Sequence, residues 1–467
     1  MPLSEPKTEV LQGRLYRSGE ALAVSLAVAS RISLYVSFEK DDPPADRTSF
    51  ERLVIQLGER ELEFSASRLH VEYTRKGFSG RLVFLEDIYD CRALFVEGQF
   101  VNLRGFFHNL PQVMGKRQHI RPEFRDYTAA ALFDLSVYKK FFNEQDRILA
   151  NEPPEVAEVA QEALLRTEGQ RFLRFFDAQL AGLQEVVRDF RKEDHERHGF
   201  YFRRCAWEFI LGSEFLKRTN LKPRGYAGDA EMMQMCYENR YLGSYVFNQL
   251  MHKHPVETPA AQAVRNRRRM LPGAMRAAFA RFPTRPDAGF RLLSVASGPA
   301  WELQDLFRDP SDFEHFRVTL LDQDPQALSC ARAVVAQIEA SRNAQLKVDY
   351  LNESVRTMLR SRDLHQRLGR FHFIYSMGLF DYLTPPVAKA VLAKIYDLLE
   401  PGGTMVVGNY HLGNSSRYYM EYWMDWVLYY RAEDEFLALA ETLPGATPTI
   451  FFEETKSQMF LSVEKQH

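Results

Sequence analysis

The segment 291–302, RLLSVASGPAWE, constrains the fold more than any other stretch of the chain. Leu292 to Ala296 form a continuous apolar run, the pattern of a strand covered on both faces. The run opens into Ser297, Gly298, Pro299 and Ala300, a turn of small residues that lets a ligand approach the backbone closely. A helical pattern starts at Trp301, and VTLLD (318–322) is a second buried strand that ends in an acid. Strand, tight turn, helix, strand and acid, in that order, predict a nucleotide-binding βαβ unit.

A chain of 467 residues has room for two or three domains around such a unit. With a formal net charge of −2, it gives no reason to expect binding to nucleic acid or to an anionic membrane surface. No stretch has the length and apolarity of a membrane span, and no leader pattern stands at the start, so a cytoplasmic location is expected. The four cysteines, Cys91, Cys205, Cys236 and Cys330, lie far apart and predict neither a zinc site nor a disulfide framework. No metal is expected. The 35 Phe and 21 Tyr can line an apolar pocket as well as fill cores.

Three regions follow from the patterning. Residues 1–118 read as a β-rich barrel or sandwich, with strands over 50–56, 61–64, 69–73, 79–85 and 91–95 and a surface loop at 41–45. Residues 119–284 read as helical. There, Val156, Val159, Leu164, Phe172, Phe175, Leu180, Leu183 and Val187 recur at three- and four-residue steps, and a second helix covers 202–216. The charge run 191–197 reads as a solvated connection with His195 and His198 facing solvent, and RNRRR (265–269) as a solvated helix face. In KPRGYAGDAEMM (222–233), Asp229 is placed to cap a helix from Ala230, while Arg224, Tyr226 and Asp229 are presented together on one loop. Residues 285–467 alternate strands and helices. Their last two strands, joined by a short turn, must pair antiparallel.

The turn departs from the dinucleotide pattern GxGxxG, whose first and last glycines are here Ala296 and Trp301. It resembles instead a class I S-adenosylmethionine-dependent methyltransferase over 285–467, which implies a Rossmann-like, mostly parallel seven-stranded sheet with an antiparallel last hairpin. The resemblance implies S-adenosylmethionine as cofactor. It assigns Ala296, Ser297, Gly298, Pro299 and Glu302 to the methionine portion and Asp322 with Gln323 to the ribose. Asn352, Ser376 and Met377 follow, with a PGG turn at 401–403 before a late strand. Asp322 lies 322 − 298 = 24 residues past Gly298, close to the roughly 20-residue offset of ribose-binding acids. In this chain the family's first-strand acid is Ser294, two of its three glycines are Ala296 and Ala300, and Glu302 stands where it can restore polarity.

A narrower resemblance rests on RGYAGD (224–229), AVRNRRR (263–269), SMGLFDYL (376–383) and YYMEYWMDWVLYYR (418–431). These look like the bacterial extracellular-factor (3-hydroxypalmitic acid methyl ester) biosynthesis methyltransferases. That implies a carboxylic acid acceptor such as a hydroxy fatty acid. Arg224, Arg267 and Arg431 are the candidate partners of its charge, and Tyr226, Tyr382 and Asn409 the neutral partners. Apolar surface would come from Phe380, Tyr382, Tyr422 and Trp426. Plainer roles stand beside these: Arg431 pairing with Glu433 or Asp434, Tyr382 and the 418–430 helix as core. Methylation of nitrogen or carbon, with His411, Asp229 or Glu421 taking a proton, is the alternative; an amine would want Asp229, Asp381 or Glu421. A non-catalytic cyclic-dinucleotide sensor is a third reading. The N-terminal region resembles a PilZ-type barrel but lacks an RxxxR pair and a DxSxxG run, Arg14 and Arg17 being one residue too close. A structural barrel is therefore expected over one that binds cyclic-di-GMP.

Overall fold

A computed structural model describes residues 10–30, 32–38, 44–57, 60–74, 77–85, 91, 115, 117–282 and 289–466. It comprises two compact units, Met1–His119 and Ile120–His467.

In the first unit six strands, β1 (Leu11–Arg17), β2 (Glu20–Ser30), β3 (Ser33–Phe38), β4 (Ser49–Leu57), β5 (Arg60–Thr74) and β6 (Gly77–Phe84), close into a barrel in the order β1-β2-β3-β6-β5-β4. Each neighbouring pair is antiparallel, and β1 pairs with both β2 and β4. Alternation sends Leu15, Leu26, Val36, Leu53, Phe64 and Leu82 inward. Three of these strands precede residue 50, where the expected strands began. Those expected at 61–64 and 69–73 are one, because pairing of Ser65 with Arg52 and of Ser67 with Phe50 and Phe84 carries the ladder through a polar stretch. The expected strand at 91–95 and loop at 41–45 fall largely outside the described residues.

The second unit opens with helix Pro122–Leu149. Helix Pro154–Leu164 then runs through a π-turn, Leu165–Gly169, into helix Gln170–Val187. Here most of the aromatic content is spent on packing: Phe124, Phe142, Phe172, Phe176, Phe202 and Trp423 are fully buried in one cluster. The chain continues through helices Lys192–Cys205, Trp207–Gly212 and Glu214–Leu221, where a single helix over 202–216 was expected. Ser213 is extended and caps the third of them by accepting the Leu216 N–H.

Two expected solvated runs are corrected. His198 is fully buried, its ring 5.0 Å from Phe124 and 4.4 Å from Phe190. It accepts the Arg121 N–H at Nε2 and donates from Nδ1 to the Asp194 carbonyl, which satisfies a neutral ring; burial holds its pKa below the usual histidine value. His195 meets the Tyr422 hydroxyl at 3.0 Å. In the basic run, Arg265 donates to the carbonyls of Cys236 and Val256 near the ends of helices Ala230–Glu238 and Val246–Glu257. Unsatisfied carbonyls at helix ends attract such cations. Arg267 is 5% exposed.

The rest of the unit is a seven-stranded sheet of β7 (Phe290–Val295), β8 (Phe316–Asp322), β9 (Lys347–Asn352), β10 (Phe371–Ser376), β11 (Leu399–Tyr410), β12 (Ala446–Phe452) and β13 (Gln458–Lys465). Its order is β12-β13-β11-β10-β7-β8-β9. β9, β8, β7, β10 and β11 run parallel, each to the next, while β13 is antiparallel to both β11 and β12. This is the Rossmann-like methyltransferase architecture expected from 285–467. The order reverses between β7 and β10, and the carboxyl ends of those strands flank the crevice where ligands bind in such sheets. The aromatic stretch after residue 417 is helical only over Arg417–Trp423. From there the chain passes over the crevice.

Candidate active site

Three backbone reversals shape the turn after β7. Ala296, Gly298 and Ala300 all hold left-handed φ, at 54°, 57° and 53°. For alanine this costs about 1–2 kcal/mol per residue, so the turn is held against strain at two of three positions. The hydrogen bonds that hold it come from β8 and the residues beyond it. The Ser297 N–H donates to the Leu321 carbonyl, and the Gly298 N–H donates to Asp322 Oδ2 at 2.9 Å. Asp322 Oδ1 accepts the Asp324 N–H at 2.9 Å. Asp322 is 6% exposed, and burial pushes its carboxyl above the usual range while the two N–H groups pull it back.

A cleft of about 450 Å³ opens beside this turn. Its floor is the turn itself with Ser294, Asp322 and Gln323; its far wall comes from the β10 loop, Met377 to Leu383. Arg224, Tyr226 and Gly228 of the 222–229 loop, with Met233 and Tyr237 of the following helix, cover it. Arg267, Arg268 and Leu271 enter from helix Pro259–Arg281, and Trp426 and Leu428 from the crossing segment. Gly228 lies so close to this wall that a Cβ there would sit 2.7 Å from Tyr382 Oη and 2.9 Å from Trp426 Cζ2.

Of the expected acceptor-side residues, Arg224, Tyr226, Arg267 and Tyr382 line the cleft. Tyr382 Oη accepts the Trp426 Nε1–H at 2.9 Å. Arg267 donates to the Met377 carbonyl at 2.8 Å and to Gln458 Oε1 at 3.3 Å. The remaining three are off the wall. Asp229 caps helix Ala230–Glu238 through the Met232 N–H and receives both its oxygens' bonds from Arg218, so it is spent on the loop's base. Arg431 donates to the Phe380 and Leu383 carbonyls and to Asn409 Oδ1, and Asn409 donates to the Tyr410 and Tyr429 carbonyls. That pair stitches the β10 loop to the crossing segment, a different role from pairing with Glu433 or Asp434.

On the cofactor side, Ala296, Ser297, Gly298, Pro299, Glu302, Asp322, Gln323 and Met377 line the cleft. Asn352 stands next to Asp322 in register and donates to the Asp322 and Gln323 carbonyls, and Ser376 donates to the Val295 carbonyl. Both brace strand ends behind the wall. Of the apolar candidates, Tyr382 and Trp426 line the cleft, whereas Phe380 and Tyr422 are fully buried elsewhere. His411 pairs with Glu433 and Glu421 with Arg417.

Sequence reading left out Tyr237, Arg268, Glu353 and Tyr375, all on the wall. Tyr375 had a signal, its place near the end of a buried strand; the others are ordinary helix or loop residues. Asp381 is 2% exposed, accepts the Tyr410 N–H, and is pushed by burial up to about 6.

Residues 292–403 match the family model of a methyltransferase domain. No curated protein matches the sequence. Among solved structures, a possible exported protein from Bordetella parapertussis is 20% identical, with 68% of this chain and 99% of that one covered at a TM-score of 0.43. The magnesium protoporphyrin IX methyltransferase of Synechocystis PCC 6803 is 8% identical over 44% of this chain and 87% of its own, at 0.33. The N-methyltransferase NodS of Bradyrhizobium japonicum WM9 is 13% identical over 45% and 90%, at 0.31. None of the three bears on the chemistry of this cleft. Residues 292–403 of this sheet form an S-adenosylmethionine-dependent methyltransferase domain. Its cleft suits that cofactor: a turn of small residues open to a ligand, an acid at the end of β8, and a buried carboxylate at Glu302.

Proposed function

We propose that the chain methylates a small-molecule carboxylic acid, such as a hydroxy fatty acid, to its methyl ester. The observation that carries this reading is Arg267: it lines the cleft, is 5% exposed, and its charge acts on Glu302 and Asp381 of the same wall without a direct ion pair to either. A buried cation without a direct ion pair is costly, and an acid substrate provides that pair. Met233, Leu271, Leu379, Trp426 and Leu428 offer apolar surface for a hydrocarbon tail. The four sequence stretches that resemble the extracellular-factor methyltransferases support the same acceptor class.

Bound S-adenosylmethionine supplies an electrophilic methyl group on a sulfonium. Ala296 to Pro299, Glu302 and Asp322 would hold that cofactor. A carboxylate is already ionised at neutral pH, so the chain need not remove a proton from it. What remains is placement. Arg267 neutralises and orients the acid, Tyr382 and Tyr226 offer hydroxyls, and residues 222–238 shield the reacting centre from water; holding reactants in line can lower a barrier by about 7–11 kcal/mol. We read 119–284 as the segment that forms this cover and 1–118 as a structural, PilZ-like barrel.

An amine acceptor is favoured by one observation, the buried Asp381 carboxyl on the wall. Arg267→Gln and Asp381→Asn, assayed on hydroxy fatty acids and small amines, separate the two. The expected result is a loss of about a hundredfold in kcat/KM on acids for Arg267→Gln, the scale of truncating a buried charge pair, with S-adenosylhomocysteine affinity retained. Methylation of amines alone, lost only in Asp381→Asn, would overturn the ester reading.

A further inference from the structure

Helix Pro122–Leu149 is apolar on two opposite faces. One is spent on the core: Phe124, Thr128, Ala131, Leu135 and Phe142 are its buried residues, and the helix packs on helices Gln170–Val187, Lys192–Cys205 and Val246–Glu257. Phe133 lies 133 − 124 = 142 − 133 = 9 residues from both Phe124 and Phe142, about two and a half turns, so it points directly away from that core. It is 68% exposed, and Val137, Phe141 and Ile148 continue the same side at 53%, 40% and 53%. Single exposed hydrophobic residues are ordinary, whereas a row at helical spacing is a contiguous stripe. Helix Pro154–Leu164, next in the chain, fully buries none of its residues and exposes Val156 and Val159. Charges of both signs border the stripe. Asp134 takes only a long hydrogen bond from Gln179, at 3.4 Å, and Lys140 is exposed with no ion pair among the described residues. None of these residues lines the cleft.

We propose that this stripe is the surface on which two copies of the chain pair, their Pro122–Leu149 helices antiparallel about a two-fold axis at Val137. In a two-fold contact residue i meets residue j and j meets i. With the axis at Val137, facing positions add to 2 × 137 = 274. Val137 then meets itself, Phe133 meets Phe141 of the second copy, and Asp134 meets Lys140 of the second copy, the last two contacts each made twice. The exposed face is therefore complementary to itself in shape class and in charge. Parallel pairing would set Lys140 on Lys140 and Asp134 on Asp134, and charges flanking a helical seam decide its orientation. Asp126 and Glu144 are exposed on the same side, which leaves it without the excess of positive charge that an anionic membrane surface would attract. A pair of 28-residue helices, each about 42 Å long, is a modest interface, and such contacts associate weakly. The dimer is expected in the micromolar range.

The test is sedimentation velocity on the full chain across a series of micromolar concentrations. The wild-type protein is expected to pass from monomer to dimer as concentration rises. Val137→Asp, which brings two carboxylates together on the axis, should weaken the dimer about tenfold or more. Because Val137 is exposed, this variant should keep the wild-type circular dichroism spectrum. Charge exchange reads the orientation. Lys140→Asp should weaken the dimer about threefold to tenfold, since two ion pairs are lost at once, and adding Asp134→Lys to the same chain should restore it. Parallel pairing predicts neither effect, because like charges face each other before and after the exchange. A monomer at every concentration, or a dimer indifferent to Val137→Asp, overturns the proposal. So does a dimer that the charge exchange fails to restore. Wild-type binding to phosphatidylcholine–phosphatidylglycerol vesicles that Val137→Asp abolishes would assign the stripe to a lipid surface and overturn it as well.

Discussion

Gly228 packs where a side chain cannot. A methyl group there would press on Tyr382 Oη and Trp426 Cζ2, both inside 3.0 Å, and both belong to the cleft wall and are tied to each other by a hydrogen bond. Gly228→Ala should cost about 1–3 kcal/mol, the range for overpacking, and lower methyl transfer by displacing Tyr382. Urea unfolding reads the first effect and an activity assay the second; an alanine variant of unchanged stability would mean that the loop moves freely. Sequence reading saw two glycines flanking Tyr226 but had no access to this contact, because Tyr382 and Trp426 lie far away in the chain. The left-handed alanines at 296 and 300 were partly legible, since the resemblance marks both positions as usual glycines.

At the scale of elements, buried histidines give the helical region a pH dependence. His252 on helix Val246–Glu257 is fully buried, and desolvation pushes it down to about 4; His195 on helix Lys192–Cys205 is lowered to about 4 mainly by the same cause. A folded-state pKa below the unfolded value means that the unfolded chain takes up protons first. Stability is then full above about 6.5 and falls as pH drops toward 4. For His252 alone the loss between pH 7 and 5 should be roughly 2 kcal/mol, from 1.36 kcal/mol per pKa unit. Urea midpoints at the two pH values measure it, and the drop should be smaller in His252→Asn. An identical drop in both proteins would remove His252 as the cause. The charged run at 191–197 hid this behaviour: the buried side of its helix is built from His198, Gly199 and Phe202, residue types that register weakly as an apolar stripe.

For the whole molecule, the barrel carries its own core of Leu15, Val24, Leu34, Phe64 and Leu82. Every residue on the cleft wall falls within Ile120–His467. A fragment beginning at residue 120 should therefore fold and bind S-adenosylhomocysteine with unchanged affinity, read by thermal melting and calorimetry. Adding cyclic-di-GMP to the full chain should leave that affinity unchanged as well. Loss of binding in the fragment would make the barrel part of the catalytic machinery, and a response to cyclic-di-GMP would make it a sensor. Among the described residues no helix is long and apolar enough to cross a membrane.

Local pattern located the strands, and the methyltransferase resemblance supplied their arrangement in one sheet. Buried parallel strands announce themselves as apolar runs, a short connection forces the antiparallel hairpin, and an acid after a small-residue turn marks the ligand end of the crevice. Period and spacing carry that information, so Asp322, Gly298 and the order of elements were readable without coordinates. Tertiary structure decided which polar groups stay free to act. Asp229 and Arg431 are the same residue types as Asp381 and Arg267, but they sit off the cleft wall, tied to Arg218 and to backbone carbonyls from up to about fifty residues away, whereas Asp381 and Arg267 line it. Whether a buried charge serves as structural glue or as a site depends on partners that only folding brings near, and no spacing along the chain records them.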